Sequence, residues 1–479
     1  MRRTVRPRGT AQRAGSCLLA LSLVTVTVSA CLGGADDTVS DPAKNADATE
    51  FTLTITSNAI SGGKNAEGAR YIEDYVIPEF VAAQKDKGVT AHVEFQPNGV
   101  DDADYKSKIG LDLDSGRAAD IIDIDGIWVG EFAASHYIKP LDEVVGADRV
   151  SAWEGWDQIP ESVQRNASYA GERYGVPTGT DGRVVYFNKH VFARAGLPAD
   201  WQPTSWQDIL DAAETIKDTV EGVTPIQLNA GTAMGEATTM QGFLPLLAGT
   251  GAEIFTDGAW LGDTPELRDV LDLYRRVYSD GLGDPTLQKE AKGRDKSFEL
   301  FSRDQVGILL ESDYLWRSVV APDAQVAPMS DRNEAVGWAK IPAKEPGSGV
   351  GGQDFVSLSG GSTQVINPST DYPQQAWELV QFMSSARAVT EQVSDAPRIT
   401  QRQDVNGVVL ADDPMLSFIA TEVVPLTRFR PAELDYLRVS SAIQEATYAI
   451  VDGASVDEAA RTYQDTLEGI VGAGAITTR

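Results

Sequence analysis

Residues 51–55 read Phe-Thr-Leu-Thr-Ile, so that apolar side chains occupy every second position of this stretch. Such alternation predicts a β-strand with one buried face. The alternating stretch 89–95 and the apolar run 121–124 predict two further strands. In 72–81 and 105–113, apolar residues recur every three or four positions, which predicts helices. The order strand, helix, strand, helix, strand predicts a parallel sheet in an α/β fold.

Three polar loops follow the predicted strands, at residues 57–65, 96–104 and 123–128. In open α/β sheets, ligands collect outside the carboxyl ends of the strands. All three loops offer hydrogen-bonding side chains, and the last also contains an indole ring at Trp128. The sequence therefore predicts a polar binding site at this edge of the sheet.

The first 30 residues have the pattern of a secretion signal. Five arginines and no acids are followed by a short apolar stretch and by small residues. The apolar stretch is shorter than the roughly 20 residues that a membrane-spanning helix needs. Val28-Ser29-Ala30-Cys31 resembles a bacterial lipobox, which implies cleavage before Cys31 and a lipid on its sulfur. The expected location is the outer face of the cell membrane, with the protein anchored by lipid.

The remaining chain is strongly acidic. Of 41 basic residues, 36 remain after the signal against 70 acidic residues, a net formal charge of −34. This charge argues against nucleic acid as a partner, because phosphate binding needs clustered lysine and arginine. The only other cysteine, Cys17, lies within the signal, so no disulfide is expected. Residues 31–50 are small, polar and acidic, which predicts a flexible tether.

The predicted helices carry recognisable start signals. Thr204 and Gln207 are predicted to form a capping box, Thr264 precedes Pro265 at a helix start, and Ser455 is predicted to cap a last helix. About 430 residues are too many for one core, so two lobes are expected. The loops 343–352 and 367–373 are candidate crossings between them.

Motifs of catalysis and metal binding are absent or incomplete. None of the three histidines lies beside another histidine or a cysteine at metal-ligand spacing, so no metal site and no cofactor are expected. Gly347, Gly349 and Gly352 satisfy GxGxxG, but they follow Pro346 in a loop rather than a strand. Paired carboxylates are frequent in so acidic a chain, and they indicate a glycosidase only when their separation is known.

Several segments, taken in order, resemble the maltose-binding-protein-like group of ABC importers, extracellular solute-binding family 1. The most specific segment is 174–206, with Tyr-Gly-Val-Pro, Asp181, Arg183, Tyr-Phe-Asn-Lys and Thr-Ser-Trp. Residues 119–141, 306–314 and 440–458 are similar to further family segments. Relatives often have Gly-Gly-Trp after the second crossing, whereas here Ser362 follows Gly360-Gly361. A ring that stacks on ligand is therefore expected to be missing at this place.

The resemblance implies an α/β, two-lobed periplasmic-binding-protein fold that is similar to type II, with the ligand in a cleft between the lobes. Lobe 1 would comprise residues 51–178 and 342–393, and lobe 2 residues 179–341 and 394–479. Carried over residue by residue, the candidate ligand-binding residues are Asn58, Asp123, Asp125, Trp128, Asp181, Arg183, Thr239, Gln241, Tyr314 and Tyr436.

The function implied is that of a non-enzymatic binding lipoprotein, monomeric, which delivers a sugar or oligosaccharide to membrane permease subunits. The acidic residues would accept hydrogen bonds from hydroxyls, and the aromatic rings would stack on the apolar face of a pyranose.

One alternative is a protein that binds a non-sugar polar solute such as glycerol phosphate, although the scarcity of basic residues among the candidates argues against an anion. Another is a secreted glycoside hydrolase, which would release reducing ends from oligosaccharides.

Overall fold

The computed structural model describes residues 39–478, which belong to one compact unit. The predicted signal at 1–30 and the lipidation site Cys31 lie outside the described residues. Two separate sheets, each with its own helices, form the two lobes.

The lobe 1 sheet has five strands, and the first three along the chain run parallel, as predicted. Leu53, Ile55 and Ile121 are buried at its centre. The fourth position is taken by a strand that returns late in the chain and runs antiparallel to both neighbours. The strands, in spatial order, are Thr90–Pro97, Glu50–Ser57, Ile121–Asp125, Ser362–Ile366 and Gly175–Pro177.

Helices cover this sheet, and the first is continuous through a π-helical turn. The predicted helices at 72–81 and 105–113 are confirmed. The helical segments of this part of the chain are Ala66–Arg70, Tyr71–Val76, Ile77–Asp86, Asp102–Asp114, Gly126–Trp128, Val129–Ala134, Asp142–Gly146, Ala147–Ser151, Glu154–Gln158, Glu161–Gln164, Arg165–Ala167, Pro373–Met383 and Ala386–Gln392.

The lobe 2 sheet has four strands, in the order Val336–Ala339, Arg183–Asn188, Val306–Ser312 and Thr224–Gln227. Every residue of the two central strands is buried, because helices pack on both faces. The two long tail helices pack against Pro265–Ser279, with Tyr463 and Leu467 buried in the contact. The tail of the chain therefore completes the core of lobe 2.

The remaining helical segments include long amphipathic helices and short turns. They are Lys189–Ala195, Trp206–Thr219, Thr232–Met234, Thr238–Phe243, Leu244–Gly249, Pro265–Ser279, Leu287–Lys289, Gly293–Ser302, Leu315–Val319, Arg332–Ala335, Val350–Gly352, Gln403–Val409, Pro414–Phe418, Ile419–Val423, Val424–Leu426, Tyr436–Val451, Val456–Val471 and Ala473–Ala475.

A small crossing sheet joins the two lobes. Its central strand, Phe355–Ser359, pairs antiparallel with Ile341–Pro342 and parallel with Thr427–Phe429. Gly361 lies where two crossings meet, and a Cβ there would stand 2.5 Å from the carbonyl oxygen of Gly179. Two minor sheets complete the strands, at Ser168–Tyr169 with Glu172–Arg173, and at Phe255–Thr256 with Ala259–Leu261 and Ile476–Thr477.

Three local predictions need correction. Segment 39–50 is not a free tether, because the Ser40 amide donates to the carbonyl of Pro368 and Lys44 pairs with Asp371 at 2.6 Å. The loop 367–373 connects a strand and a helix of the same lobe, so it is not a crossing. The capping box is formed by Ser205 and Asp208, one residue later than predicted, while the Thr264 and Ser455 caps are confirmed.

Candidate ligand-binding cleft

A cleft of about 620 Å³ lies at the carboxyl edge of the lobe 1 sheet. Its floor is formed by the first and second crossings, at residues 178–181 and 360–362. Ser57 and Asp123 line the lobe 1 wall, and Arg317 lines the wall of lobe 2. Both the place and the size are those of a small-molecule site in an α/β protein.

Asp123 presents a buried carboxyl group to this cleft. Its Oδ2 accepts a hydrogen bond from the Ser57 hydroxyl at 3.1 Å, while among the described residues its Oδ1 has no hydrogen-bond partner. Burial raises the pKa of Asp123 to about 7, and the neighbouring carboxylate of Asp125 adds to the rise. A carboxyl group of this kind can accept a hydrogen bond when charged and donate one when protonated.

Asp181 lines the cleft floor, and Arg183, another predicted residue, holds it in place. Its Oδ1 accepts from the Gly360 amide at 2.7 Å and from the Arg183 guanidinium. Arg183 is buried, and it also donates to Gln241 Oε1 at 3.1 Å and to the Leu358 carbonyl at 3.0 Å. Arg183 and Gln241 therefore lie behind the cleft rather than on its surface.

Asn58 is buried and fully engaged in its own lobe. Its Nδ2 donates to the Val100 carbonyl and to Asp102 Oδ1, both at 3.0 Å, and its Oδ1 accepts from the Val100 amide. These bonds hold the loop after the first strand against the loop after the second. Asn58 is not among the residues that line the cleft, and a contact of this residue with ligand stays a prediction.

Trp128 belongs to the hydrophobic core of lobe 1, and the prediction that it faces the cleft is wrong. The side chain is 6% exposed and packs against the rings of Tyr105 and Phe132, at centroid distances of 6.1 and 6.4 Å. The reason is the short helical turn Gly126–Trp128, which directs the indole back under the sheet.

Asp125 takes part in an ion network that spans both lobes. Arg430, just after the strand Thr427–Phe429 of the crossing sheet, lies 3.6 Å from Asp125 of lobe 1 and 3.3 Å from Glu236 of lobe 2. Burial alone would lower the pKa of Arg430, but these two carboxylates raise it. Nothing in the local sequence pattern indicated Arg430 or Glu236, because their proximity arises only from the crossing chain path.

Tyr436 and Thr239 support the same network from inside lobe 2. The Tyr436 hydroxyl donates to Glu236 Oε2 at 3.1 Å, and its ring is 2% exposed. Thr239 is fully buried, with its hydroxyl 2.7 Å from that of Ser440, which in turn contacts Glu236. Both predicted ligand contacts are therefore corrected to positions in the interior, where neither side chain is open to a solute.

Tyr314 is the predicted aromatic residue that the structure leaves exposed. It follows the strand Val306–Ser312, and 38% of its surface is accessible. The guanidinium groups of Arg294 and Arg317 lie 5.9 and 5.8 Å from the centre of its ring. Arg317 lines the cleft but Tyr314 does not, so a contact of this ring with ligand stays a prediction.

Two arginines of the cleft escaped the sequence interpretation. Arg317 donates to the buried carboxylate of Asp313 at 2.9 Å and lines the wall of lobe 2. Arg398, on the segment that leaves lobe 1, also lines the cleft. They stand 81 positions apart in the chain, so that no motif links them. Ser362, which follows Gly360-Gly361, lines the floor as well.

Within residues 39–478, no set of three or more histidine, cysteine, aspartate or glutamate side chains is placed to hold a metal ion. In the same range, no helix combines the length and the apolar character needed to cross a bilayer.

Comparison with known proteins gives a consistent result. A putative binding protein of Brucella abortus (strain 2308), BAB2_0491, is 24% identical over 344 residues, which cover 71% of this chain and 73% of that protein. The glycerol-3-phosphate-binding periplasmic protein UgpB of Escherichia coli (strain K12) is 28% identical over 103 residues, 22% of this chain and 24% of its own.

The solved structures show the same fold. The cyclic alpha-maltosyl-1,6-maltose binding protein of Arthrobacter globiformis superimposes with a TM-score of 0.68 at 18% identity, over 88% of this chain and 99% of that one. The family model of the bacterial extracellular solute-binding proteins matches residues 64–390, well over half of the chain. The chain therefore belongs to the bacterial extracellular solute-binding protein family.

Proposed function

We propose that the protein captures a sugar or short oligosaccharide in the cleft between its lobes and delivers it to the permease of an ABC importer. The observation that carries the proposal is the 620 Å³ cleft at the strand ends, which is lined by both carboxylates and guanidinium groups. Sugar hydroxyls both donate and accept hydrogen bonds, so they suit a wall of mixed polarity. The sugar ligand named for the Arthrobacter protein supports this choice.

Binding is coupled to closure of the lobes in this proposal. The first and second crossings form the floor of the cleft, and a ligand that contacts both walls favours the closed state. The permease would then recognise the closed form.

A lipid on Cys31 would keep the protein, as a monomer, at the outer face of the membrane. Replacement of Cys31 by Ala should release it into the soluble fraction.

A non-sugar polar solute is the second candidate. Ser362 stands on the cleft floor in place of a ring, and Trp128 and Tyr436 are buried, so Tyr314 alone is left among the predicted stacking residues. The name of the partial relative UgpB, a glycerol-3-phosphate-binding protein, supports the same alternative.

The test is a thermal-shift screen of residues 32–479 against mono-, di- and oligosaccharides and against polyols and their phosphates. A ligand at about 100 times its dissociation constant adds roughly 2.7 kcal/mol to the free energy of unfolding. We expect a selective rise in melting temperature with a carbohydrate. A flat response to every sugar, with a rise for another solute, would reject the sugar proposal.

A further inference from the structure

Arg398 is a cation without a partner on the wall of the cleft. In residues 39–478, no hydrogen bond or ion pair involves its guanidinium group, although the side chain is only partly exposed. Burial lowers the pKa of Arg398, and the positive charge of Arg317 lowers it further. An arginine side chain nevertheless stays protonated in proteins, so the cleft wall retains an unneutralised charge.

Arg317 is the second cation of this wall, and it is only partly satisfied. Its Nε donates to Asp313 at 2.9 Å and its Nη1 to the Ser318 hydroxyl at 3.2 Å, which leaves Nη2 without a hydrogen-bond partner among the described residues. Its side chain is 35% exposed and lines the same cavity as Arg398. The two guanidinium groups therefore share one region of the cleft.

Asp313 offsets the charge of Arg317, but none of the carboxylates that line the cleft forms an ion pair with Arg398. Asp181 is already bonded to Arg183 and to the Gly360 amide, and the raised pKa of Asp123 reduces its negative charge near neutral pH. Glu67 also lines the cleft and attracts Arg398, but it is exposed to solvent, where salt and water screen its charge. The sequence predicts few basic residues in the cleft and therefore disfavours an anionic ligand, whereas the structure places Arg317 and Arg398 there.

We infer that the solute carries an oxyanion, a carboxylate or a phosphate monoester, which binds between Arg317 and Arg398. The planar fork of a guanidinium group matches the paired oxygens of both anions. The ligand class is then an acidic sugar or polyol, with its hydroxyls directed towards Asp123, Asp181 and Ser57. This inference rests on the proposed solute-binding function of the same cleft and narrows it.

Inorganic phosphate is the first probe. The melting temperature of residues 32–479 is measured in phosphate and in chloride at equal ionic strength. The rise in phosphate should be about 1–2 °C larger in the wild type than in Arg398→Gln. Arg461→Gln removes the same charge from an exposed position on the helix Val456–Val471, and this variant should retain the wild-type response. Phosphate also stabilises proteins by exclusion from their surfaces, so an equal rise in all three proteins would overturn the inference.

Matched ligand pairs are the second probe, measured by titration calorimetry: glucose with glucuronate and glucose 6-phosphate, and glycerol with glycerol 3-phosphate. We expect an acidic member to bind at least tenfold more tightly than its neutral partner, and Arg398→Gln to remove this preference. Glucuronate tests recognition of a carboxylate, and the two phosphate esters test recognition of a phosphate monoester. Tight binding of neutral sugars that Arg398→Gln does not change would overturn the inference and leave the proposed function standing. No binding of any member would reject both.

Discussion

The buried carboxyl group of Asp123 on the cleft wall makes the stability of the protein depend on pH. Burial raises its pKa in the folded protein to about 7, far above the ordinary value of an aspartate, although the Ser57 hydrogen bond and the charge of Arg398 act in the opposite sense. Between these two values the folded state binds a proton more tightly than the unfolded state. The contribution of Asp123 to stability is therefore lost as the pH rises through 7.

Replacement of Asp123 by Asn should remove this dependence. We expect the variant to be similar to the wild type near pH 4 and more stable at pH 8, by on the order of 1–2 kcal/mol. Urea denaturation of both proteins at the two pH values measures the difference. Identical pH profiles would show that Asp123 ionises as freely in the folded protein as in the unfolded chain.

The two aromatic residues Trp128 and Tyr314 should behave differently on truncation. Trp128→Ala removes a buried indole and should cost about 3–5 kcal/mol of stability. Tyr314→Ala changes an exposed ring and should alter stability by only about 0.5 kcal/mol, while ligand binding weakens. Thermal unfolding and calorimetry of the two variants separate these effects. A stable Trp128→Ala protein with weakened binding would contradict the placement of the indole in the core.

The candidate residues show where sequence reasoning succeeds and where it fails. Asp123 was predicted because ligands collect at the carboxyl ends of parallel strands, and Asp181 because of the resemblance of 174–206 to the family. Trp128 follows a strand as well, but a single helical turn decides which way its side chain points, and neither periodicity nor composition encodes that turn. Arg317 and Arg398 meet only through the folded chain path, so no spacing in the sequence indicates them.

At the level of elements, alternation and helical periodicity located the first three strands and two helices correctly. Short connections were less predictable, because several polar side chains compete for the same role. Thr204 and Ser205 can both cap the following helix, and only the backbone geometry selects Ser205 with Asp208. The segment before the first strand was misjudged for a related reason, since polar and acidic residues do not exclude packing through hydrogen bonds.

Residues 40–46 are attached to the return segment of lobe 1, and their removal should be measurable. The side chain of Gln374 donates to the Pro42 carbonyl at 2.6 Å, and that of Gln375 to the Asn45 carbonyl at 2.8 Å. A chain that begins at residue 47 should lose about 1–2 kcal/mol relative to one that begins at residue 39. Equal melting temperatures of the two truncations would show that these contacts contribute nothing.

At the scale of the whole molecule, Arg430 joins the lobes through Asp125 and Glu236. Without this cation, two carboxylates from opposite lobes would face each other, and their repulsion would favour the open form. Arg430→Gln should therefore increase the radius of gyration of the ligand-free protein in small-angle X-ray scattering. Arg461→Gln is the control, and unchanged scattering in Arg430→Gln would mean that the network does not hold the lobes together.

The proposed function requires that a small polar solute binds in the cleft between the lobes. Asp181 lies on the floor of that cleft. The most direct test is titration calorimetry of residues 32–479 with the carbohydrate and sugar-acid panel, in parallel for the wild type and Asp181→Asn. We predict one molecule bound per chain and an affinity at least tenfold lower in Asp181→Asn. Equal affinity in the two proteins, or no binding of any carbohydrate or sugar acid, would contradict the account.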